Sequence, residues 1–324
     1  MATIMVDAHG VRLGAEIGDV QAAVAAGQFF WLDIVGESEA ASAALLTAAG
    51  FDDAEIAAAV RFRQTGRIRF APNRLRVVTW IANPAGALLE FHLVGFATGI
   101  VTLWSGDPAS LVTIRRQFSY RVDGIEGDMP YAAGLLLQLL IGTLDSSLEA
   151  LDAQIDGLRL SLDQQSSSMD YSLITRGFQH MQNFAAGFSR YSGGVRSAMV
   201  GIESLPGVSA RGAAELDDYV DLVEDFEEQL HERRRWLSDI THDFANAVAA
   251  RQSDQISRLT IVSMIFLPVT ALTGFFGMNF AWLNDRIASE GAFFVFGLLL
   301  PVLGMVLTIV WLARRGLMRL DLWR

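Results

Sequence analysis

Eight residues, Ser253, Ile256, Thr260, Ser263, Leu267, Thr270, Gly274 and Gly277, follow one another at steps of three or four. That spacing puts them on one face of an α-helix. Hydroxyls and glycines dominate the face, whereas residues off it, such as Ile261, Phe266 and Phe276, are large and apolar. Two kinds of chemistry fit such a stripe. Small residues let transmembrane backbones approach closely. Hydroxyls turned toward water, with Ile256 and Leu267 as hydrophobic constrictions, would make a pore wall. Spacing alone leaves both open. The stripe runs into Gly277, Met278 and Asn279, two helix-breaking residues around a methionine.

A second group of candidates lies upstream. Asp217, Asp221, Glu224 and Glu228 share one helical face, with Asp218 and Asp225 on a neighbouring one. Between Gly212 and Phe244 eleven acids stand against three arginines. A run of this kind is commonly a solvated helix surface. His231 and His242 are eleven residues apart, roughly 16 Å along a helix, too far to share one ion within a chain. His9 and His92 stand alone.

Other chemistry is excluded by composition. There is no cysteine, hence no disulfide, thiolate metal site or thiol nucleophile. All 25 basic residues are arginine, which removes a Schiff-base lysine and the phosphate-loop lysine, and no GxxxxGK[ST], HExxH or GxSxG pattern occurs. An enzyme is therefore not expected. A formal charge of −11 argues against a nucleic-acid partner.

The elements that must position these residues are legible from hydropathy. Leu259–Phe276 carries no ionisable side chain over 18 residues, roughly the 27 Å needed to cross a bilayer core. A second charge-free run, Ala292–Leu312, follows a short polar loop, and together they read as two membrane spans, 259–278 and 292–312. The 52% hydrophobic content fits such a protein. Arg251 and Arg258 precede the first span and Arg314, Arg315 and Arg319 follow the second, while the loop holds Arg286 against Asp285 and Glu290. The positive-inside rule then puts both termini in the cytoplasm. The opening MATIMVDAHG has no basic or apolar leader region, so a cytoplasmic N-terminal portion is expected.

That portion reads as α/β. Strands are expected at Phe29–Val35, Arg74–Ala82, Leu88–Phe96 and Gly99–Trp104, helices at Glu37–Ala49 and Asp52–Phe62, and another helix opening at Asp107 and Pro108. From Met129 the period becomes helical. One amphipathic helix runs to about Leu162, a second from Tyr171 to Ser204 and a third from Ala213 to Phe276, where no proline precedes Pro268. The expected division is a cytoplasmic α/β domain at 1–128, a long-helix and stalk region at 129–258, the spans at 259–313 and a basic tail at 314–324. The fold class is thus an α+β membrane protein whose stalk helix continues into the first of two C-terminal spans.

At Gly277-Met278-Asn279 the sequence resembles the CorA family of two-span divalent cation transporters, whose signature is this triplet at the end of the first of two C-terminal spans. The resemblance covers the architecture and is specific mainly from Ser253 to Asn279. It implies a funnel-shaped homopentamer in the inner membrane, first spans lining the pore. Asn279 would supply a ring of amide oxygens to a hydrated cation, which suits the reluctance of Mg²⁺ to lose water. It also implies regulatory divalent ions between subunits, with Asp218 at one such position and Asp217, Asp221 and Asp225 nearby. The sequence departs from the family pattern after the triplet, where FAWLNDRIASEGA replaces an acidic Met-Pro-Glu-Leu loop, and at Ser253, where many relatives carry asparagine. The apolar FLPVTALTGFFG resembles the zinc-transporting ZntB branch, whose Gly-Gly-Ile-Pro is absent. The ion stays open among Mg²⁺, Zn²⁺, Co²⁺ and Ni²⁺, and a proton-coupled zinc transporter or a non-conducting membrane scaffold are the alternatives.

Overall fold

The computed structural model describes residues 2–163, 171–278, 281–287 and 289–315. The chain divides into two units, Met1–Thr241 and His242–Arg324. The first holds a seven-stranded mixed sheet built from β1 (Ala2–Asp7), β2 (Gly10–Leu13), β3 (Phe30–Val35), β4 (Arg67–Ala71), β5 (Arg74–Ala82), β6 (Leu88–Phe96) and β7 (Gly99–Trp104). Strand order is β2-β1-β3-β7-β6-β5-β4. The central β3–β7 pair is parallel and all other pairs are antiparallel. Every residue of β3 and β7 is buried, as expected where helices cover both faces of a parallel pair.

One face packs on three short helices, α1 (Ile17–Ala26), α2 (Glu39–Ala48) and α3 (Asp53–Val60), through Phe30, Leu32, Leu46, Phe51 and Ile56. These helices start where their caps dictate. The Ser38 hydroxyl accepts from the Ala41 amide, and Asp52 and Glu55 form a reciprocal capping box. At the end of α1, Gly27 adopts φ 65°, the left-handed turn that glycine accepts without a Cβ penalty.

The opposite face packs on α4 (Val112–Ser119), α5 (Met129–Ile141), α6 (Asp145–Asp163), α7 (Tyr171–Met199) and the unit's share of α8 (Ala210–Phe276). The structure breaks the expected helix from Met129 at a 3-10 turn, Gly142–Leu144. Asp107 caps as expected, accepting from the Ala109 amide at 2.9 Å, but Pro108 first opens a 3-10 turn and α4 follows it. Within this layer Asp33 is fully buried. It accepts from Arg115 at 2.6 and 2.8 Å, from Thr102 at 2.7 Å and from Trp104 at 2.9 Å. Burial pushes its carboxyl above the usual range while Arg115 and the other donors pull it down. Between α7 and α8 the Tyr191 and Tyr219 hydroxyls meet at 2.5 Å, and burial pushes the Tyr191 phenol up to about 12.

Among the described residues, three helices are long and apolar enough to cross a membrane by length and composition. Met129–Gly157 has 56% of its apolar window buried inside the protein, so it is a core helix. The windows in Ala210–Phe276 and Glu290–Arg314 are only 6% buried. The latter comprises α10 (Glu290–Ala292), a π-helical stretch Phe293–Leu299 and α11 (Leu300–Arg314), after a short helix α9 (Ala281–Ile287).

Candidate pore helix

The C-terminal part of α8 carries the stripe. Ile256, Leu267, Thr260, Ser263, Thr270 and Gly274 are all exposed, Ile256 at 65% and Leu267 at 71%. Ser253 is exposed as well. The second apolar helix packs elsewhere. Phe276 stacks on Phe296 with ring centroids 5.1 Å apart, and a methyl group at Gly304 would meet Leu272 at 3.5 Å and Pro268 at 4.0 Å. Pro268, Leu272 and Phe276 lie on one side of α8. At about 100° per residue the hydroxyl and glycine stripe lies roughly 180° away. Packing between the two apolar helices of one chain therefore does not account for it.

The hydroxyls have a shared orientation. Thr260 donates to the Ile256 carbonyl, Ser263 to Leu259 and Thr270 to Phe266, at 2.8, 2.8 and 2.9 Å. Each proton is tied back to the preceding turn, which leaves oxygen lone pairs to face outward. Thr273, outside the stripe, makes the same bond to Val269 at 2.9 Å. A Cβ at Gly274 would meet nothing within 4 Å, so no described residue of this chain requires its small size. At Gly277 a Cβ would lie 2.9 Å from the Thr273 carbonyl oxygen. A side chain there would crowd the last turn of the helix, beyond which the Met278 amide bonds back to Phe275 at 3.3 Å. Met278 is exposed. Asn279 lies outside the described residues, as does the tail beyond Arg315.

The upstream acids behave differently. Asp217, Asp218, Asp221 and Asp225 are all exposed on α8, and among the described residues none of them forms an ion pair. Their neighbours Glu224 and Glu227 pair with Arg196 at 3.2 and 3.9 Å. Glu227 is partly desolvated, yet Ser189, Ser192, Arg196 and His231 together hold its carboxyl below the usual range. Among the described residues no three His, Asp or Glu converge as metal ligands. The structure thus brings the stripe together on one uncovered face and leaves the four aspartates dispersed along another part of the helix.

The chain is similar to known proteins over most of its length. The family model described as CorA-like Mg²⁺ transporter protein matches residues 26–315. A Bacillus subtilis protein named "Putative metal ion transporter YfjQ" is 31% identical over 104 residues, 32% of this chain and 32% of that protein. The match thus spans about a third of that relative's length. Among solved structures, the CorA magnesium transporter of Methanocaldococcus jannaschii superposes with a TM-score of 0.72 at 13% identity, covering 98% of this chain and 99% of that one. The full-length CmaX protein gives 0.65 at 18%, covering 98% and 97%. The ZntB cytoplasmic domain of Vibrio parahaemolyticus gives 0.53 at 7%, covering 77% and 98%. At these identities the structures establish a shared fold. The extent of the family match, with two long apolar helices following the sheet, makes the chain a member of the CorA-like Mg²⁺ transporter protein family.

Proposed function

We propose that this chain is one subunit of a homopentameric channel for divalent cations, Mg²⁺ first among them, in the inner membrane with both termini cytoplasmic. Residues 1–128 and 129–258 make its cytoplasmic α/β domain and stalk, and 259–313 its pore region. The observation that carries the reading is the uncovered stripe. A face of hydroxyls and glycines turned away from the chain's own second span has oxygen lone pairs free to meet water and is well suited to line a pore. One chain offers two spans, so a pore needs several copies.

In that assembly Ser253, Thr260, Ser263 and Thr270 present oxygen acceptors to the hydration shell of the passing ion. Ile256 and Leu267 are the constrictions that gate by dewetting, and Gly274 leaves room where the wall is narrow. Gly277 and Met278 form the turn that holds Asn279 at the mouth as the filter. Neutral amide oxygens receive a hydrated ion without binding it tightly, which permits release. Asp217, Asp218, Asp221 and Asp225, exposed and unpaired, take a cytoplasmic divalent ion between subunits. Their mutual repulsion without it favours opening.

The test is flux into proteoliposomes of the purified protein. Asn279→Ala abolishes selective uptake and leaves the oligomer size unchanged by native mass measurement. Unaltered flux in that variant removes the filter assignment. The same assay run with Mg²⁺, Zn²⁺, Co²⁺ and Ni²⁺, with and without a pH gradient, identifies the ion and separates passive from proton-coupled transport. A monomer or dimer with no flux of any ion would instead indicate a membrane-anchored scaffold.

A further inference from the structure

The chain is acidic, yet residues 61–76 hold six arginines and no acid. Folding gathers them. Arg69 on β4 stands directly across from Arg76 on β5, and Arg67 lies on the same side of β4 two residues away. Of the six, Arg74 alone is neutralised, by Glu55 at 3.0 Å, and its guanidinium also lies 4.9 Å from the centre of the Phe51 ring. Among the described residues Arg61, Arg63, Arg67, Arg69 and Arg76 form no ion pair.

What holds the guanidiniums is neutral. The Gln64 amide oxygen accepts from both Arg67 and Arg76, and the Ala58 carbonyl accepts from Arg76 at 2.6 Å. The Nε atoms of Arg67 and Arg76 are buried with no hydrogen-bond partner. Two buried charged donors without an acceptor, beside further like charges, is a costly arrangement that an anion would relieve. Burial, then the neighbouring guanidiniums, lowers the pKa of both arginines.

There is room for one. A cavity of about 370 Å³ opens between α3 and the β4–β5 edge, within the size range of small-molecule sites. Arg69, Arg74 and Arg76 line it on the strand side, with Ala54, Ala58 and Val94 supplying apolar surface. The two acids at its edge are already engaged. Asp52 caps α3, and Glu55 bonds the Asp52 amide and Arg74.

We propose that Arg69 and Arg76, which line this cavity, with Arg67 behind them adding positive charge beside Arg76, form a binding site for a small phosphate-bearing anion. Guanidinium forks match phosphate oxygens in geometry and charge. The site is separate from the pore stripe and stands whether or not the channel reading does.

Isothermal titration of the purified full-length protein in detergent at low salt, with pyrophosphate, ADP and a short-chain phosphatidylglycerol, tests it. Saturable binding is expected, weakened about tenfold or more in Arg76→Ala and in Arg69→Ala. Arg12→Ala, which removes the same charge from a pair with Asp7 elsewhere, leaves it unchanged. Arg69 is exposed and unpaired, so its removal leaves the fold intact and keeps the test valid if Arg76→Ala destabilises the sheet. Binding by pyrophosphate or ADP identifies a soluble ligand; binding by the lipid analogue alone identifies a headgroup. No saturable binding by any of the three, or binding undiminished in both variants, overturns the proposal.

Discussion

Two stretches of the same helix, α8, follow opposite rules. Before Thr241 most of its apolar residues are buried, with Leu216, Tyr219, Val223 and Phe226 against the core, and its aspartates face outward. From Leu259 on, large apolar residues off the hydroxyl stripe are exposed as well, among them Leu259, Phe266 and Phe275, and acids are absent up to the helix end at Phe276. Helical propensity does not distinguish the two stretches. The difference lies in the solvent each is built for: water strips apolar surface from the outside of the first, whereas a bilayer makes exposed Leu and Phe favourable in the second.

That contrast can be broken in four places. The largest effect is expected at Phe226, whose ring packs 4.7 Å from Phe188. Phe226→Ala should cost about 3–5 kcal/mol in chemical denaturation of the detergent-solubilised protein, and a cost under about 1 kcal/mol would mean this stretch is not core. Next, Phe266→Arg places a charge near the middle of the apolar stretch and should cost about 2.5–3.5 kcal/mol of membrane insertion, read as lost membrane-fraction protein. Normal insertion would mean that the surface does not face lipid.

A pH titration addresses the water-solvated unit alone. The Tyr191 and Tyr219 phenols are raised in the fold and ordinary in the unfolded chain. The Tyr191 contribution is therefore intact below pH 10 and disappears as the pH rises through about 12, and that of Tyr219 is likewise lost on the alkaline side. Tyr191 alone should account for about 2–3 kcal/mol. Tyr191→Phe should flatten that alkaline loss. The smallest effect is expected for Leu222→Arg, at a partly exposed apolar position of the first stretch. It should shift stability by about 0.5 kcal/mol or less, against the severe result for arginine at Phe266.

The strands most readable in sequence were those buried on both faces or paired on both edges. β5, β6 and β7 begin and end where their β-branched and aromatic runs do. β4 escaped notice because RIRFA alternates arginine with apolar residues and owes its extended form to pairing with β5. β1, β2 and α1 were missed for a similar reason. Ala2–Asp7 is short, and its burial comes from pairing with β3, while α1 is alanine-rich with an internal Gly18 and carries little pattern of its own. The hydroxyl and glycine stripe was visible in full, since a helical face is a property of local spacing. Its partner face was not, because nothing local specifies that Phe276 stacks on Phe296.

The sequence alone determined the two apolar helices, the length of α8, the stripe and the Gly277-Met278-Asn279 triplet, because uninterrupted apolar length and period are written in neighbouring residues. Tertiary structure decided that the stripe faces away from the second apolar helix. It also decided that Asp33 is neutralised by Arg115 82 positions away, and that Arg67, Arg69 and Arg76 of β4 and β5 converge with no ion-pair partner among the described residues. Each depends on residues brought together by sheet register or helix packing, where burial rather than order along the chain sets the energy of a charge.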